Sequence, residues 1–292
     1  MKFGIIGGSG LYDLPGLKNL REEIVETPYG SPSTAFILGD LEGQELVFLA
    51  RHGKHHSIAP HELNHRANIW ALKKLGVATI LSFSAVGSFK EEIKPRDFVL
   101  VDQYIDKTKR PAEQQTFFGN GAMAHVSMAH PSCELTAKQV WDLSEGFLAE
   151  RGTILHRSGT YLNMEGPAFS TKAESLMHKS WGVDLIGMTN YAEAKLAREA
   201  QISYLTIAMV TDYDCWHETE EAVTVEAVIA NLMANAGNAR DLLVEILPKL
   251  NFVDGPCQSA LKAGLLTPIE VMSDETKTRL APLLASLVGR RD

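Results

Sequence analysis

The stretch Tyr204-Leu205-Thr206-Ile207-Ala208-Met209-Val210, followed by Thr211-Asp212-Tyr213-Asp214-Cys215-Trp216, decides the fold class. Seven uncharged, mostly apolar residues read as a buried strand. A polar, acidic segment leaves its end. Farther on, Val225, Val228, Ile229 and Leu232 recur at helical spacing, Thr224 can cap the helix and Glu226 suits its first turn, which predicts a helix over 225–247. Working outward, strands are expected at 2–6, 35–38, 45–50, 78–84, 98–101 and 159–164, and helices at 62–74, 136–150, 171–181 and 191–199. Alternation of this kind implies an α/β fold around a parallel or mixed sheet.

Composition limits what such a fold can serve. The 292 residues carry 28 basic and 36 acidic side chains, a net charge of −8. That balance disfavours nucleic acid as the main partner, because phosphate backbones need concentrated Lys and Arg. An anionic small molecule remains open, since a pocket can invert the sign locally. With 45% apolar and 22% charged residues the chain is globular in composition. The three cysteines (Cys133, Cys215, Cys257) are odd in number and far apart, so a reduced, cytoplasmic setting is expected. No run approaches the length of a membrane span, and no signal-peptide apolar region follows Lys2. The periodicity weakens after Leu250. A body over 1–250 is therefore expected, with 251–292 as a helical appendage of the same domain. The stretch 107–131 is too long for a plain connection, which marks it as functional or as a partner contact.

Several motifs could carry chemistry. Gly7-Gly8-Ser9-Gly10 follows the first strand, where glycines let consecutive N–H groups face one anion. A plain tight turn is the alternative. Arg51-His52-Gly53 follows the strand ending at Ala50 and offers a planar fork and a second donor for an oxyanion; a solvated basic loop is the alternative. Ser84-Ala85-Val86-Gly87-Ser88 reads as another strand end opening into small residues. Phe169 could stack on a heteroaromatic ring, Met188 could floor it and Thr189 adds a hydroxyl. Core packing is the ordinary fate of such Phe and Met residues. Asp212 and Asp214, two apart, project together if the chain stays extended. One could hold a proton while its partner accepts, which suits a purine N7 and 6-amino group; an Asx-rich turn is the alternative. His61-Glu62-Leu63-Asn64-His65 matches the zinc protease pattern His-Glu-x-x-His, but Pro60 puts His61 at a helix start. Asn68 and Ala71 also stand where the extended motif has Gly and His. No metal is expected.

Taken in order, Gly7–Leu11, Ala50–Gly53, Ala67–Leu72, Glu165–Ser170, Met188-Thr189 and Thr211–Trp216 resemble the methylthioadenosine phosphorylase family, trimeric members of the purine nucleoside phosphorylase superfamily. The likeness runs from Lys2 to Leu250. It implies a single α/β domain with a central mixed, partly barrel-like sheet flanked by helices. It implies phosphorolysis of S-methyl-5′-thioadenosine, with no cofactor, phosphate as co-substrate, and no nucleic-acid or membrane partner. By resemblance, Ser9, Arg51, His52, Ser84, Ala85 and Thr189 bind phosphate in a locally positive pocket. Met188 lies under the ribose, Phe169 lies against the base, and Asp212 and Asp214 read adenine. Ser170 and Val225 help to set substrate preference. A neighbouring copy in a homotrimer or dimer of trimers closes the 5′ pocket, with His125 as the contact. Ser9 and Ser84 stand where many relatives have Thr, and either hydroxyl can donate.

Overall fold

The computed structural model describes residues 1–8, 11, 13–217 and 225–288, with the side chains of 225–228 also outside it. Eleven strands form one sheet among the described residues. They are β1 (Lys2–Gly7), β2 (Lys18–Glu23), β3 (Phe36–Leu41), β4 (Gln44–Ala50), β5 (Val77–Ser88) and β6 (Phe98–Val101). After them come β7 (Gln103–Asp106), β8 (Leu155–His156), β9 (Thr160–Asn163), β10 (Leu185–Gly187) and β11 (Ser203–Asp212). The helices are α1 (His65–Lys74), α2 (Glu134–Ala149), α3 (Lys172–Ser180), α4 (Asn190–Glu199), α5 (Val225–Ile246), α6 (Ala260–Gly264) and α7 (Asp274–Val288).

The strand-rich runs of the sequence become the centre of the sheet. β1 lies parallel between β4 and β5, and β11 lies parallel to β5 along nearly its whole length. Side chains of β1 and β11 alternate between two cores, as the period of a strand requires. Phe3, Ile5, Leu205 and Ile207 face a cluster shared with α2 and α5, including Val140, Leu242 and Ile246. Ile6 and Tyr204 face a cluster shared with α1, α4 and α7, including Ile69, Ala197 and Leu283. The result is a sheet covered by helices on both faces.

The sheet forks at β5. One arm runs through β10, β9 and β7; the other runs through β11, β6 and β8. β7 and β8 end these arms without pairing to each other, so the sheet stays open rather than closing into a barrel. Tyr104 of β7 spans the fork, donating its hydroxyl to Thr206 Oγ1 at 2.8 Å.

Three expectations change. Ser84–Ser88 is not a turn after a strand but the second half of β5. β11 keeps pairing with it as far as Gly87, and β10 joins antiparallel at Gly87 and Ser88. Gly87 suits the crossing, because a Cβ there would stand 3.0 Å from Asp212 Oδ1 and 3.1 Å from Ile186 Cγ2. The helix expected from Glu62 begins at His65, with Asn64 as its cap accepting from the Ala67 N–H; residues 60–62 form a separate short 3₁₀ turn. Four strands go unpredicted. β2 is largely exposed and highly charged, β7 is only partly buried, and β8 and β10 are two and three residues long. None of them presents a continuous apolar run of useful length.

The 107–131 stretch is tied to its own chain. Glu199 accepts from Thr116 Oγ1 and the Phe117 N–H, and Arg198 donates to the carbonyls of Ser127, His130 and Pro131. After residue 250, Leu261, Met272, Leu280, Leu283 and Leu284 join the core beside Trp70 and Phe117. No helix among the described residues is long and apolar enough to cross a membrane.

Candidate active site

The central strands deliver their carboxyl ends to one cavity of about 580 Å³. This is where open α/β sheets place ligands. Gly8 follows β1, Arg51 and His52 follow β4, Thr189 follows β10, and Asp212 ends β11. The second half of β5 adds Ser84, Ala85 and Gly87. Phe169, Met188 and Asp214 complete the set that the sequence picks out, and Leu232 and Met233 of α5 add an apolar wall.

Four expected site residues stand apart. Ser9 lies outside the described residues, as does the side chain of Val225. Ser170 does not line the cavity; its carbonyl accepts from Cys215 Sγ at 3.4 Å. His125 is exposed and lies off the cavity of its own chain, with its backbone N–H on the Gly264 carbonyl.

At one end, Arg51 is buried at 3% exposure and nearly saturated. Its Nε and Nη2 donate to Glu193 Oε1 and Oε2 at 2.5 and 3.1 Å, Nη2 also reaches Ser82 Oγ at 2.6 Å, and Nη1 reaches the Phe83 carbonyl at 2.9 Å. A guanidinium has five N–H donors, so one Nη1 hydrogen is left for the cavity that Arg51 lines. Burial opposes both charges of this pair. Their mutual attraction and hydrogen bonds prevail, keeping the Glu193 carboxyl below its ordinary range and the Arg51 guanidinium above its own. His52 is held neutral at pH 7: burial, and then the Arg51 charge, lower it to about 4. Its Nδ1 sits 2.9 Å from the Ile58 carbonyl, which fixes that nitrogen as the donor. The expected local positive charge is thus cancelled between Arg51 and Glu193, and neutral His52 adds none. Thr189 is also engaged, with its hydroxyl donating to Asn190 Oδ1 at 3.1 Å.

At the other end, the chain turns instead of staying extended. The Asp214 N–H donates to Asp212 Oδ1 at 2.8 Å, an Asx turn, and Asp214 takes the left-handed φ of 52°. Both carboxylates still line the cavity, so the turn and the site are one feature. Asp212 Oδ2 accepts from Thr211 Oγ1 at 2.7 Å, and Asp214 Oδ2 accepts from Ser175 Oγ at 2.5 Å. Burial raises the Asp214 carboxyl above the usual range, and the Ser175 hydrogen bond offsets only part of that rise. Phe169 is 69% exposed on the rim.

Sequence reasoning misses Glu193 and Ser175. Glu193 shares a helical face with Asn190, Ala194 and Ala197, so a charge within a small, apolar stripe was its visible signal. Ser175 carried none. The zinc-like pattern dissolves: His61 is exposed in the 3₁₀ turn, while His65 is buried at the start of α1. Among the described residues, no group of three or more His, Cys, Asp or Glu stands together in a way that could hold a metal ion.

Residues 2–248 match the model of the phosphorylase superfamily. The S-methyl-5′-thioadenosine phosphorylase of Gloeobacter violaceus is 49% identical over 293 residues, covering 99% of this chain and 97% of that protein. A crystal structure of a methylthioadenosine phosphorylase from an antarctic soil metagenomic library superposes with a TM-score of 0.92 at 48% identity, covering 97% and 98% of the two chains. The methylthioadenosine phosphorylase of Schistosoma mansoni, in complex with tubercidin, superposes with a TM-score of 0.79 at 33% identity, covering 92% and 100%.

Proposed function

We propose that this chain, which belongs to the phosphorylase superfamily and within it to the methylthioadenosine phosphorylase family, cleaves S-methyl-5′-thioadenosine with inorganic phosphate to adenine and 5-methylthioribose 1-phosphate. The observation that carries this reading is one cavity lined by Arg51, Ser84 and Thr189 at one end and by two carboxyls at the other. Phosphate sits among Arg51, Ser84, the Ala85 backbone and Thr189, with Ser9 beside it, and its own O–H donates to the unprotonated Nε2 of His52. Adenine lies against Phe169, and the ribose lies over Met188. Ser170 and Val225 tune substrate preference.

The N9–C1′ bond breaks first, its electron pair passing to the purine and leaving an oxocarbenium-like ribosyl centre. A protonated carboxyl donates to N7 and makes adenine a better leaving group. Its raised pKa favours Asp214 as the proton carrier, while Asp212 accepts from the 6-amino group. A phosphate oxygen then bonds to C1′ from the opposite face, after its charge has stabilised the cationic centre. The proton that phosphate sheds on becoming the sugar ester balances the one that adenine keeps. Neither a metal nor an organic cofactor takes part. The enzyme works in the cytoplasm as a homotrimer or dimer of trimers, in which His125 of a neighbouring copy closes the 5′ pocket. The exposed rim at Phe169 and the position of His125 off its own cavity support that arrangement; light scattering that gives a monomer would remove it.

Adenine release from methylthioadenosine, with and without phosphate and beside methylthioinosine, tests the reading. A carboxylate accepts from a 6-amino group and repels a 6-oxo oxygen, so the adenosine form is expected to be strongly preferred. A preference for the inosine form would overturn the assignment. Asp212→Asn is expected to narrow the ratio.

A further inference from the structure

Glu193 lies outside the cavity, yet four hydrogen bonds converge on its carboxylate. It is 1% exposed. Its oxygens accept from Arg51 Nε and Nη2 at 2.5 and 3.1 Å, from Ser82 Oγ at 2.7 Å and from Tyr204 OH at 2.9 Å. A buried ion pair is weak evidence for stability, because apolar side chains of similar volume often serve as well. The role of this pair must therefore be sought in what it holds. One partner, Arg51, lines the cavity. Ser82 in turn accepts from Asn190 Nδ2 at 3.0 Å, and Asn190 Oδ1 accepts the Thr189 hydroxyl at 3.1 Å. Two residues at the oxyanion end thus hang on one buried network whose hub is Glu193.

We propose that Glu193 is a positioning residue for phosphate: it turns the Arg51 guanidinium so that a single Nη1 hydrogen serves the cavity, and it cancels the Arg51 charge so that the anion is held by aimed hydrogen bonds rather than by net charge. This rests on the reading of the cavity as a phosphate site. A guanidinium held by a bidentate carboxylate keeps its plane, and its remaining donor keeps its direction. Without the carboxylate the group is charged, buried and free to rotate toward any acceptor. The affinity that changes is then the one for phosphate; nucleoside affinity, set at the far end of the cavity, does not follow.

The test measures KM for inorganic phosphate and for methylthioadenosine separately in the full-length enzyme, for the wild type, Glu193→Gln, Arg51→Met and the double variant. Glu193→Gln is expected to raise the phosphate KM about tenfold or more while the nucleoside KM stays within about twofold. In the Arg51→Met background the same change is expected to add less than about twofold, because a residue acting through Arg51 has nothing left to position. Glu193→Asp keeps the charge at shorter reach and is expected to recover part of the loss. Together with the double variant, which removes both buried charges, it keeps the test available if Glu193→Gln does not fold. An unchanged phosphate KM in folded Glu193→Gln, an equal rise in both KM values, or a full additional effect without Arg51 would each overturn the proposal. Adenine release by the wild type that does not depend on phosphate would instead remove the underlying reading, and this proposal with it.

Discussion

At the Arg51 end of the cavity, four side-chain N–H donors are spent on Glu193, Ser82 and the Phe83 carbonyl before any ligand arrives. At the Asp214 end, the carboxyls sit on a left-handed turn and Phe169 stands in solvent. The first end is built from the turn after strand β4, from strand β5 and from helix α4, packed deep in the molecule, and its polar groups are wired to one another. The second is built from a strand terminus and loops. The contrast fits the ligands proposed for the two ends. A small anion of fixed shape is best met by rigid, pre-aimed donors, whose ordering cost is met during folding. A flat, partly apolar base can be met by a ring on an exposed rim and by carboxyls whose protonation state matters more than their number.

The largest expected effect lies at the open end. Asp214→Asn keeps the shape, an Asn tolerates the positive φ, and Ser175 can still donate to it. Loss of the transferable proton is expected to lower kcat/KM by about 10²–10⁴; a folded variant within a few-fold of wild type would deny Asp214 the acid role. At the wired end the effect is on folding. Arg51→Met strands a buried carboxylate and is expected to cost about 3–5 kcal/mol in urea unfolding, whereas Phe169→Ala, on the exposed rim, is expected to stay within about 0.5 kcal/mol. Equal losses from the two would erase the contrast between the ends.

His65 sharpens the same point through pH. It is buried beside the wired end with neither ring nitrogen partnered, and burial, then the Arg110 charge, lower it to about 3. Below pH 6.5, roughly the unfolded value, the unfolded chain takes up a proton that folded His65 refuses until about pH 3, so stability falls as pH falls through that window. At about pH 5 this amounts to about 2 kcal/mol. His65→Phe removes the orphaned nitrogens, so its urea midpoint is expected to match or exceed wild type at pH 7 and to decline less on acidification. A parallel decline in both proteins would locate the acid sensitivity elsewhere. The smallest expected effect is again at the open end: Phe169→Ala is expected to raise the nucleoside KM by about 2–10-fold, the worth of one aromatic stack of about 0.5–1.5 kcal/mol, leaving the phosphate KM unchanged.

Much of this site was legible in the sequence, because its residues cluster at strand ends and carry unusual types. Arg51, His52, Asp212 and Asp214 each follow or end an apolar run, and with Thr189 all of them line the cavity. Ser84 and Ala85 were legible as site residues but misread as a turn, since small residues at a strand fork look like small residues in a loop. The short strands β8 and β10 exist only by pairing with longer neighbours, and nothing local announces them.

By itself the sequence determined the alternating α/β framework, the two alternating faces of the central strands, and the basic, hydroxyl and acidic residue types set at their ends. Those follow from periodicity and side-chain chemistry, which are local. Only the tertiary structure decided that Arg51 spends its fork on Glu193, 142 positions away, that His52 is neutral, and that burial raises the Asp214 carboxyl. The net charge of −8 gave no warning of this. Charge state and donor direction are properties of the surroundings, and the surroundings of a buried group come from elements distant along the chain.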